Sequence, residues 1–494
     1  MEELLKVSDF SVQHKNKKIL DSVNLSLYER EILALVGESG SGKSMLARSI
    51  LKLNDEYAFE KSGQLIFEEK DIECLSERQM SKIRGNRIGM IFQEPLSYLN
   101  PVLKMKNQIT EWLIKHRNVD KREALKIIID LLKKMKIDNP EEYLNLYPHE
   151  LSGGMAQRGI IAGVFSSAPR IIIADEPTSS LDVNTQLSIV GLLKEMSRMY
   201  GVSVIFITHD LDLAKEVSDR VSVMSRGKIV EEGLTEKIYN NPVKSETKNL
   251  LNAWDFKKEK SIREDEKLSI IKIHNLKKYY KTGKETVKKA LDGIDINIYK
   301  GETLGILGES GCGKTTLARV LTRIQSPCSG KILYDGKDIF RDEKYHKYVQ
   351  IIFQDPYSSL NPKMKVLDIV AEGIDIQKKY NHRERFDIVI NFLEKVGLDE
   401  SFHDRFPHQL SGGQRQRVSI ARAIIVKPEV LICDEPTSYL DTISQKQVIE
   451  LFKKLKSHMN LTCVFISHNI KVLNAISNRI AIIKQGKIIS MEHK

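Results

Sequence analysis

Cysteine is scarce. The five in 494 residues, Cys74, Cys312, Cys328, Cys433 and Cys463, include no C-x-x-C pair. This excludes a disulfide framework and offers no thiolate set for a zinc site or an iron–sulfur cluster. The thiols read as buried or free in a reducing compartment. Also missing is any run near the roughly 18 apolar residues that a spanning helix needs, and the acidic start Met1-Glu2-Glu3 leads into no apolar stretch. The chain is expected to stay on the cytoplasmic side and not to form a channel itself. Disorder is excluded too, because 41% hydrophobic and 29% charged residues make a globular balance. At roughly 100 to 200 residues per domain the length allows two to four domains. The net charge of +11 admits nucleic acid, anionic lipid or nucleotide as partner and does not choose among them.

What is present is present twice. Gly37-Glu38-Ser39-Gly40-Ser41-Gly42-Lys43-Ser44 returns as Gly308-Glu309-Ser310-Gly311-Cys312-Gly313-Lys314-Thr315. Gln93 returns as Gln354. Ser152, Asp175 and His209 return as Ser411, Asp434 and His468 at one constant offset, so that stretch aligns without a gap. Two copies this long are two homologous domains and not a solenoid. We expect a first domain at 1–235, a linker at 236–267 and a second domain at 268–494. The linker carries Lys257-Lys258-Glu259-Lys260 and Arg263-Glu264-Asp265-Glu266-Lys267 without apolar periodicity. If flexible, it would reach about 30 Å.

Short β-branched runs precede the turns: 32–36, 171–174 and 202–207, then 303–307, 430–433 and 462–466. Such runs suit strands buried on both faces of a parallel sheet. Between Gln93 and Leu151, and again between Gln354 and Leu410, 3.6-period spacing such as Leu125, Ile128, Ile129 and Leu132 predicts a helical insertion.

The pattern G-x-x-x-x-G-K-[ST] makes a loop whose backbone N–H groups face phosphate oxygens, with a helix N-terminus behind it. Lys43 and Lys314 are expected to reach the β and γ phosphates, and Ser44 and Thr315 to put a hydroxyl on Mg²⁺. The predicted strands before Asp175-Glu176 and Asp434-Glu435 set two carboxylates at the carboxyl edge of each sheet, where open α/β sheets bind ligands. The aspartates suit the metal, and the glutamates suit a proton from attacking water. His209 and His468 follow strand-like runs, where a ring N–H could meet the γ phosphate. His149 and His408 are also paired, and packing is their expected role.

Leu151-Ser152-Gly153-Gly154-Met155 and Leu410-Ser411-Gly412-Gly413-Gln414 resemble the signature sequence of ABC-type ATPases, and the resemblance covers nearly the whole chain. Gln93-Glu94-Pro95 with Leu99-Asn100-Pro101, and Gln354-Asp355-Pro356 with Leu360-Asn361-Pro362, resemble the Q-loop of the oligopeptide, dipeptide and nickel importers. Asp182 and Asp441 match the D-loop. The resemblance implies an α/β fold with two ABC ATPase domains in tandem. Each would have a RecA-like parallel core, an antiparallel β subdomain and a helical insertion.

It further implies head-to-tail pairing of the two halves. One ATP site would join Lys43, Ser44, Gln93, Asp175, Glu176 and His209 to Ser411, Gly413 and Gln414. The other would join Lys314, Thr315, Gln354, Asp434, Glu435 and His468 to Ser152, Gly154 and Met155. Gln93 and Gln354 would also reach the metal. The implied partners are two integral membrane permease subunits and, through them, an extracytoplasmic binding protein, at the cytoplasmic face of a prokaryotic membrane; no nucleic acid is expected. The cargo would be peptide first, nickel or another chelated metal second. A soluble tandem ATPase acting on ribosomes is the alternative, although the linker lacks the sustained basic helix that would suit it. In the family an aromatic ring upstream of the P-loop stacks on adenine. Tyr280 is expected there in one half and His14 in the other.

Overall fold

The computed structural model describes every residue except 1, 16, 55–57, 94, 118, 180, 253–267, 282–286, 310, 377–378, 439 and 494. The chain divides into two compact units, Met1–Asn252 and Ala253–Lys494.

In the first unit the apolar run after Glu31 forms the strand Ile32–Gly37, buried along its whole length. It lies inside a six-stranded sheet ordered Lys228–Leu234, Arg220–Ser225, Ile32–Gly37, Ser203–Thr208, Ile171–Asp175, Ile88–Ile91. All neighbours are parallel except the first pair, a hairpin. After Ile32–Gly37 the chain re-enters this sheet at its far edge, Ile88–Ile91, and steps inward through Ile171–Asp175 and Ser203–Thr208 before passing to Arg220–Ser225 on the other side of Ile32–Gly37, so the loops after Ile32–Gly37 and Ile171–Asp175 open into one crevice at the carboxyl edge of the sheet. That crevice is where such sheets bind ligands.

The second unit repeats the order: Lys487–His493, Arg479–Lys484, Thr303–Leu307, Thr462–Ser467, Val430–Asp434, Val349–Ile352. Each unit adds a four-stranded antiparallel sheet. In the first it pairs Glu3–His14 with both Lys17–Tyr28 and Glu60–Phe67; in the second it pairs Ser269–Lys281 with Val287–Tyr299 and Ser329–Tyr334.

The expected helical insertions are present. In the first unit Met105–Arg117 and Lys121–Lys134 lead to the signature helix Gly153–Ser166. Asp120 caps the second of these, accepting from the backbone N–H of Arg122 and Glu123. Ile128 and Leu132 are buried, while Leu125 and Ile129 pack half-buried against the same core. The counterparts are Val366–Asp375, His382–Lys395 and Gly412–Ile424.

The linker expected from residue 236 is shorter than the sequence suggests. Thr235–Asn240 and Ser245–Leu251 are helices of the first unit, with Ile238 and Leu250 buried. Glu231 accepts from the backbone N–H of Val243 at 2.8 Å and of Lys244 at 3.0 Å, tying the second helix down. Helices of six and seven residues make fewer than two turns, too few for periodicity to be read. The charged run 257–267 lies outside the described residues.

Candidate active site

The phosphate loop owes its path to glycines. Gly42 and Gly313 adopt φ of 109° and 114° as caps of the helices Lys43–Ile50 and Lys314–Leu321. A Cβ on Gly313 would stand 2.1 Å from the Ala290 carbonyl oxygen, and one on Gly37 would stand 2.1 Å from that of Met224. Only glycine lets the backbone approach this closely.

Lys43 and Lys314 are each 5% exposed. The Lys43 ammonium donates to the carbonyls of Gly37 at 2.8 Å and Glu38 at 2.7 Å; Lys314 does the same to Gly308 at 2.7 Å and Glu309 at 2.8 Å. The cation thus spans the loop that a phosphate would occupy. Ser310 lies outside the described residues. Cys312 is buried inside this loop, and burial raises its thiol pKa.

Asp175 and Asp434 end their strands, one residue beyond the predicted runs. Ser44 donates to Asp175 Oδ1 at 3.0 Å and Thr315 to Asp434 Oδ1 at 3.4 Å. Burial raises both carboxyls, and Asp434 is pushed up to about 6.

The next residues behave oppositely. Glu176 and Glu435 both sit at φ 46°, a region that costs non-glycine residues of order 1–3 kcal/mol and clusters at functional sites. Their backbone N–H groups donate to Ile207 O at 2.9 Å and Ile466 O at 3.0 Å, which anchors the turn to the neighbouring strand. Gln93 donates to Glu176 at 3.3 Å, and His209 Nδ1 lies 3.1 Å from the same carboxylate. Gln354 donates to Glu435 at 3.1 Å, with His468 Nδ1 at 3.2 Å and the Ser438 hydroxyl at 2.9 Å. Lys314 Nζ stands 3.7 Å from Glu435 Oε1.

Burial works to raise both glutamates, but the histidine bond and the nearby positive charge outweigh it and hold them below the usual range. Burial likewise opposes charge on His209, and its bond to Glu176 wins, raising that imidazole. Each site therefore holds an ionised carboxylate between an amide and an imidazole, with a buried ammonium nearby. This arrangement can accept a proton from water attacking a phosphate.

Each signature serine is a helix cap. Ser152 accepts from Met155 N and Ser411 from Gln414 N, both at 3.3 Å. A hydroxyl that accepts keeps its own proton to donate, and the first-turn N–H groups beside it favour an anion. Gln414 closes a capping box by accepting from Ser411 N at 2.9 Å; Met155 has no such oxygen. Asp182 and Asp441 cap the helices Val183–Tyr200 and Thr442–Met459. A Cβ on Gly154 would meet Thr185 Cγ2 at 2.8 Å, and one on Gly413 would meet Ser444 Oγ at 3.7 Å.

The two ring positions differ. Tyr280 donates its hydroxyl to Gln325 at 2.5 Å. His14 Nδ1 lies 2.8 Å from the Ala58 carbonyl, with the Phe59 ring 5.2 Å away. His149 and His408 stack on Tyr147 and Phe406 at 5.6 and 5.7 Å, a packing role.

Sequence reasoning did not single out Phe59, or Ser438 as a partner of Glu435. The run Glu-Pro-Thr-Ser following both acids was the available sign for the serine.

The ABC transporter family pattern matches residues 20–179 and 291–438. The chain is 41% identical to the peptidoglycan transport ATP-binding protein YejF of Agrobacterium fabrum, covering 98% of this chain and 92% of that one. It is 34% identical to the glutathione import ATP-binding protein GsiA of Escherichia coli O157:H7, covering 95% and 82%. The solved cassette MJ0796, bound to ADP and Pi, is 31% identical over 45% of this chain, with a TM-score of 0.42. The chain belongs to the ABC transporter ATP-binding family, with the ATPase domain present twice. It is an ATPase subunit of a transporter, and these relatives favour that reading over the ribosomal one.

Proposed function

We propose that the chain hydrolyses ATP at two Mg²⁺-dependent sites to drive import of short peptides through separate membrane subunits. The observation that carries this reading is the hydrogen-bonded set of glutamate, glutamine and histidine beside a buried lysine, repeated in both units. In this reading Glu176 and Glu435 accept the proton of the attacking water, with His209 and His468 orienting them and facing the γ phosphate. Lys43 and Lys314 leave their loop carbonyls for phosphate oxygens. The oxygen donors Ser44, Asp175 and Gln93, and Thr315, Asp434 and Gln354, suit a hard cation and would hold Mg²⁺. Bound there, the ion neutralises phosphate charge.

The halves pair head to tail, so that Ser411, Gly413 and Gln414 complete the Lys43 site and Ser152, Gly154 and Met155 the Lys314 site. ATP favours the closed pairing and hydrolysis releases it. Tethering in one chain keeps the halves at an effective concentration near millimolar. Among the described residues no helix is long and apolar enough to cross a membrane. Two permease subunits, fed by an extracytoplasmic binding protein, would supply the path at the cytoplasmic face. Peptide as cargo follows the names of the relatives, peptidoglycan transport and glutathione import.

The test is the double variant Glu176→Gln, Glu435→Gln. ATP binding is retained, while hydrolysis falls by roughly 10²-fold or more and uptake of labelled tripeptide into permease-bearing proteoliposomes stops. Unchanged turnover would remove the glutamates from the mechanism. Intact hydrolysis in the wild type with no permease-dependent uptake would remove the cargo.

A further inference from the structure

In the second unit the hairpin of Ser269–Lys281 and Val287–Tyr299 runs beside the phosphate loop. The carbonyl that holds Gly313 bare belongs to Ala290 on that hairpin. Two residues earlier on the same strand Lys288 reaches the same loop, and its Nζ lies 3.8 Å from where a Cβ on Gly311 would stand. The neighbouring lysines are engaged. Lys289 donates to Asp292 at 3.4 Å and Lys278 to the Ser326 carbonyl at 2.7 Å. Lys288 is exposed and has no hydrogen bond or ion pair among the described residues. Its charge is therefore available to an anion in the loop.

The strand register points to the part of a nucleotide that would meet it. Lys288 pairs with Tyr280 across the hairpin, and directly opposite residues of an antiparallel pair put their side chains on one face. The ring expected under adenine, the Lys288 ammonium and the phosphate loop thus follow one another over that face. A nucleotide with its base on Tyr280 and its β and γ phosphates in the loop carries its ribose and α phosphate past Lys288. Of these two groups only the phosphate is charged, and it gains the more from a cation.

The repeat supplies the contrast. At the offset that relates Gly37 to Gly308, Lys288 aligns with Lys17 and Gly311 with Gly40. Lys17 also pairs with the residue expected at the ring position, His14. A Cβ on Gly40, however, would meet nothing within 4 Å. Both units carry the lysine, and only in the second does its ammonium stand over the loop.

Resting on the ATP hydrolysis proposed above, we infer that Lys288 is a nucleotide-binding residue of the second site alone, its ammonium taking an α-phosphate oxygen. Hydrolysis breaks the bond from the γ phosphorus to the oxygen bridging it to the β phosphate. The α phosphate stays on ADP, so the contact outlasts the reaction. The Lys314 site then holds its ADP after the Lys43 site has released its own.

The experiment uses the full chain with Lys43→Ala emptying the first site, and titrates ATP, ADP and adenosine in competition with a fluorescent ADP. Lys288→Gln should raise the Kd of ATP and of ADP about fivefold, with adenosine and the melting midpoint of the nucleotide-free chain unmoved. Lys288→Arg should restore both affinities, and the loss should shrink as salt rises. Lys17→Gln, in a Lys314→Ala chain, should leave the Kd of the first site as it was. An unchanged Kd for ADP in Lys288→Gln, a loss for adenosine as large as that for ADP, or an equal loss from Lys17→Gln each overturns the inference alone. A wild-type chain that binds no nucleotide overturns the proposed hydrolysis and the inference with it.

Discussion

The two units are two answers to one chemical problem: they share the reacting groups, and they differ in what surrounds those groups. Both keep the lysine on the loop carbonyls, the hydroxyl on the aspartate, and the glutamate at φ 46° between glutamine and histidine. The surroundings diverge. Glu435 gains Ser438 as a third partner, Asp434 is 2% exposed against 7% for Asp175, Gln414 closes a capping box that Met155 leaves open, and Tyr280 stands where the first unit has His14. Phosphate geometry tolerates little change, whereas caps, rings and grooves can change by a few kcal/mol without loss of the fold.

The comparison can be broken most severely at the signatures. If the halves pair head to tail as proposed, Ser411→Arg should reduce hydrolysis at the Lys43 site by roughly 10²-fold, because a bulky cation would then enter where the γ phosphate must sit, while the variant's own P-loop still binds nucleotide. Site-resolved trapping that showed loss only at Lys314 would reverse the pairing.

The buried aspartates give a smaller effect with a defined sign. The pKa of Asp434, about 6, lies above its ordinary 3.8, so folding favours the protonated form. That contribution is complete below about pH 4 and is lost as the pH rises through 6. Asp434→Asn keeps the neutral form throughout. In chelator it should exceed the wild type in stability at pH 8, by at most roughly 3 kcal/mol, with the gap closing toward pH 4. Asp175→Asn should show the same sign with less amplitude, because Ser44 sits closer and stabilises the ionised form. Thermal melts across pH check both, and a gap that grows toward pH 4 would refute the assignment.

Next comes the base. If the aromatic ring sets adenine affinity, His14→Tyr should tighten nucleotide at the Lys43 site severalfold, since stacking is worth roughly 1–3 kcal/mol and His14 is now held by Ala58. An unmoved titration would leave Phe59 as the ring to vary.

Smallest is the cap. Met155→Gln should complete the box at Ser152 and add about 0.5–1 kcal/mol to the first unit, read as a raised melting midpoint. Gln414→Met should subtract a similar amount from the second.

Much of the site was legible because its demands are local. A loop that points N–H groups at phosphate needs glycines at fixed spacing, and a carboxylate at a strand end needs an apolar run before it. Repetition then turned each local pattern into a domain. The helices at 235–251 were not legible, because segments under two turns carry no period. Nor was the partner set of Glu435: Ser438 follows it by three residues, but only the turn at φ 46° brings the hydroxyl to the carboxylate.

The sequence by itself determined that this chain holds two phosphate-binding ATPase domains, since those motifs are read within a few consecutive residues. Only the tertiary structure decided how the acids divide their work. Burial raises Asp175 and Asp434, while a histidine from the next strand keeps Glu176 and Glu435 ionised. It also decided that Trp112 should lie on a bare Gly163. Desolvation and contact depend on what distant segments bring alongside, and no spacing along the chain encodes that.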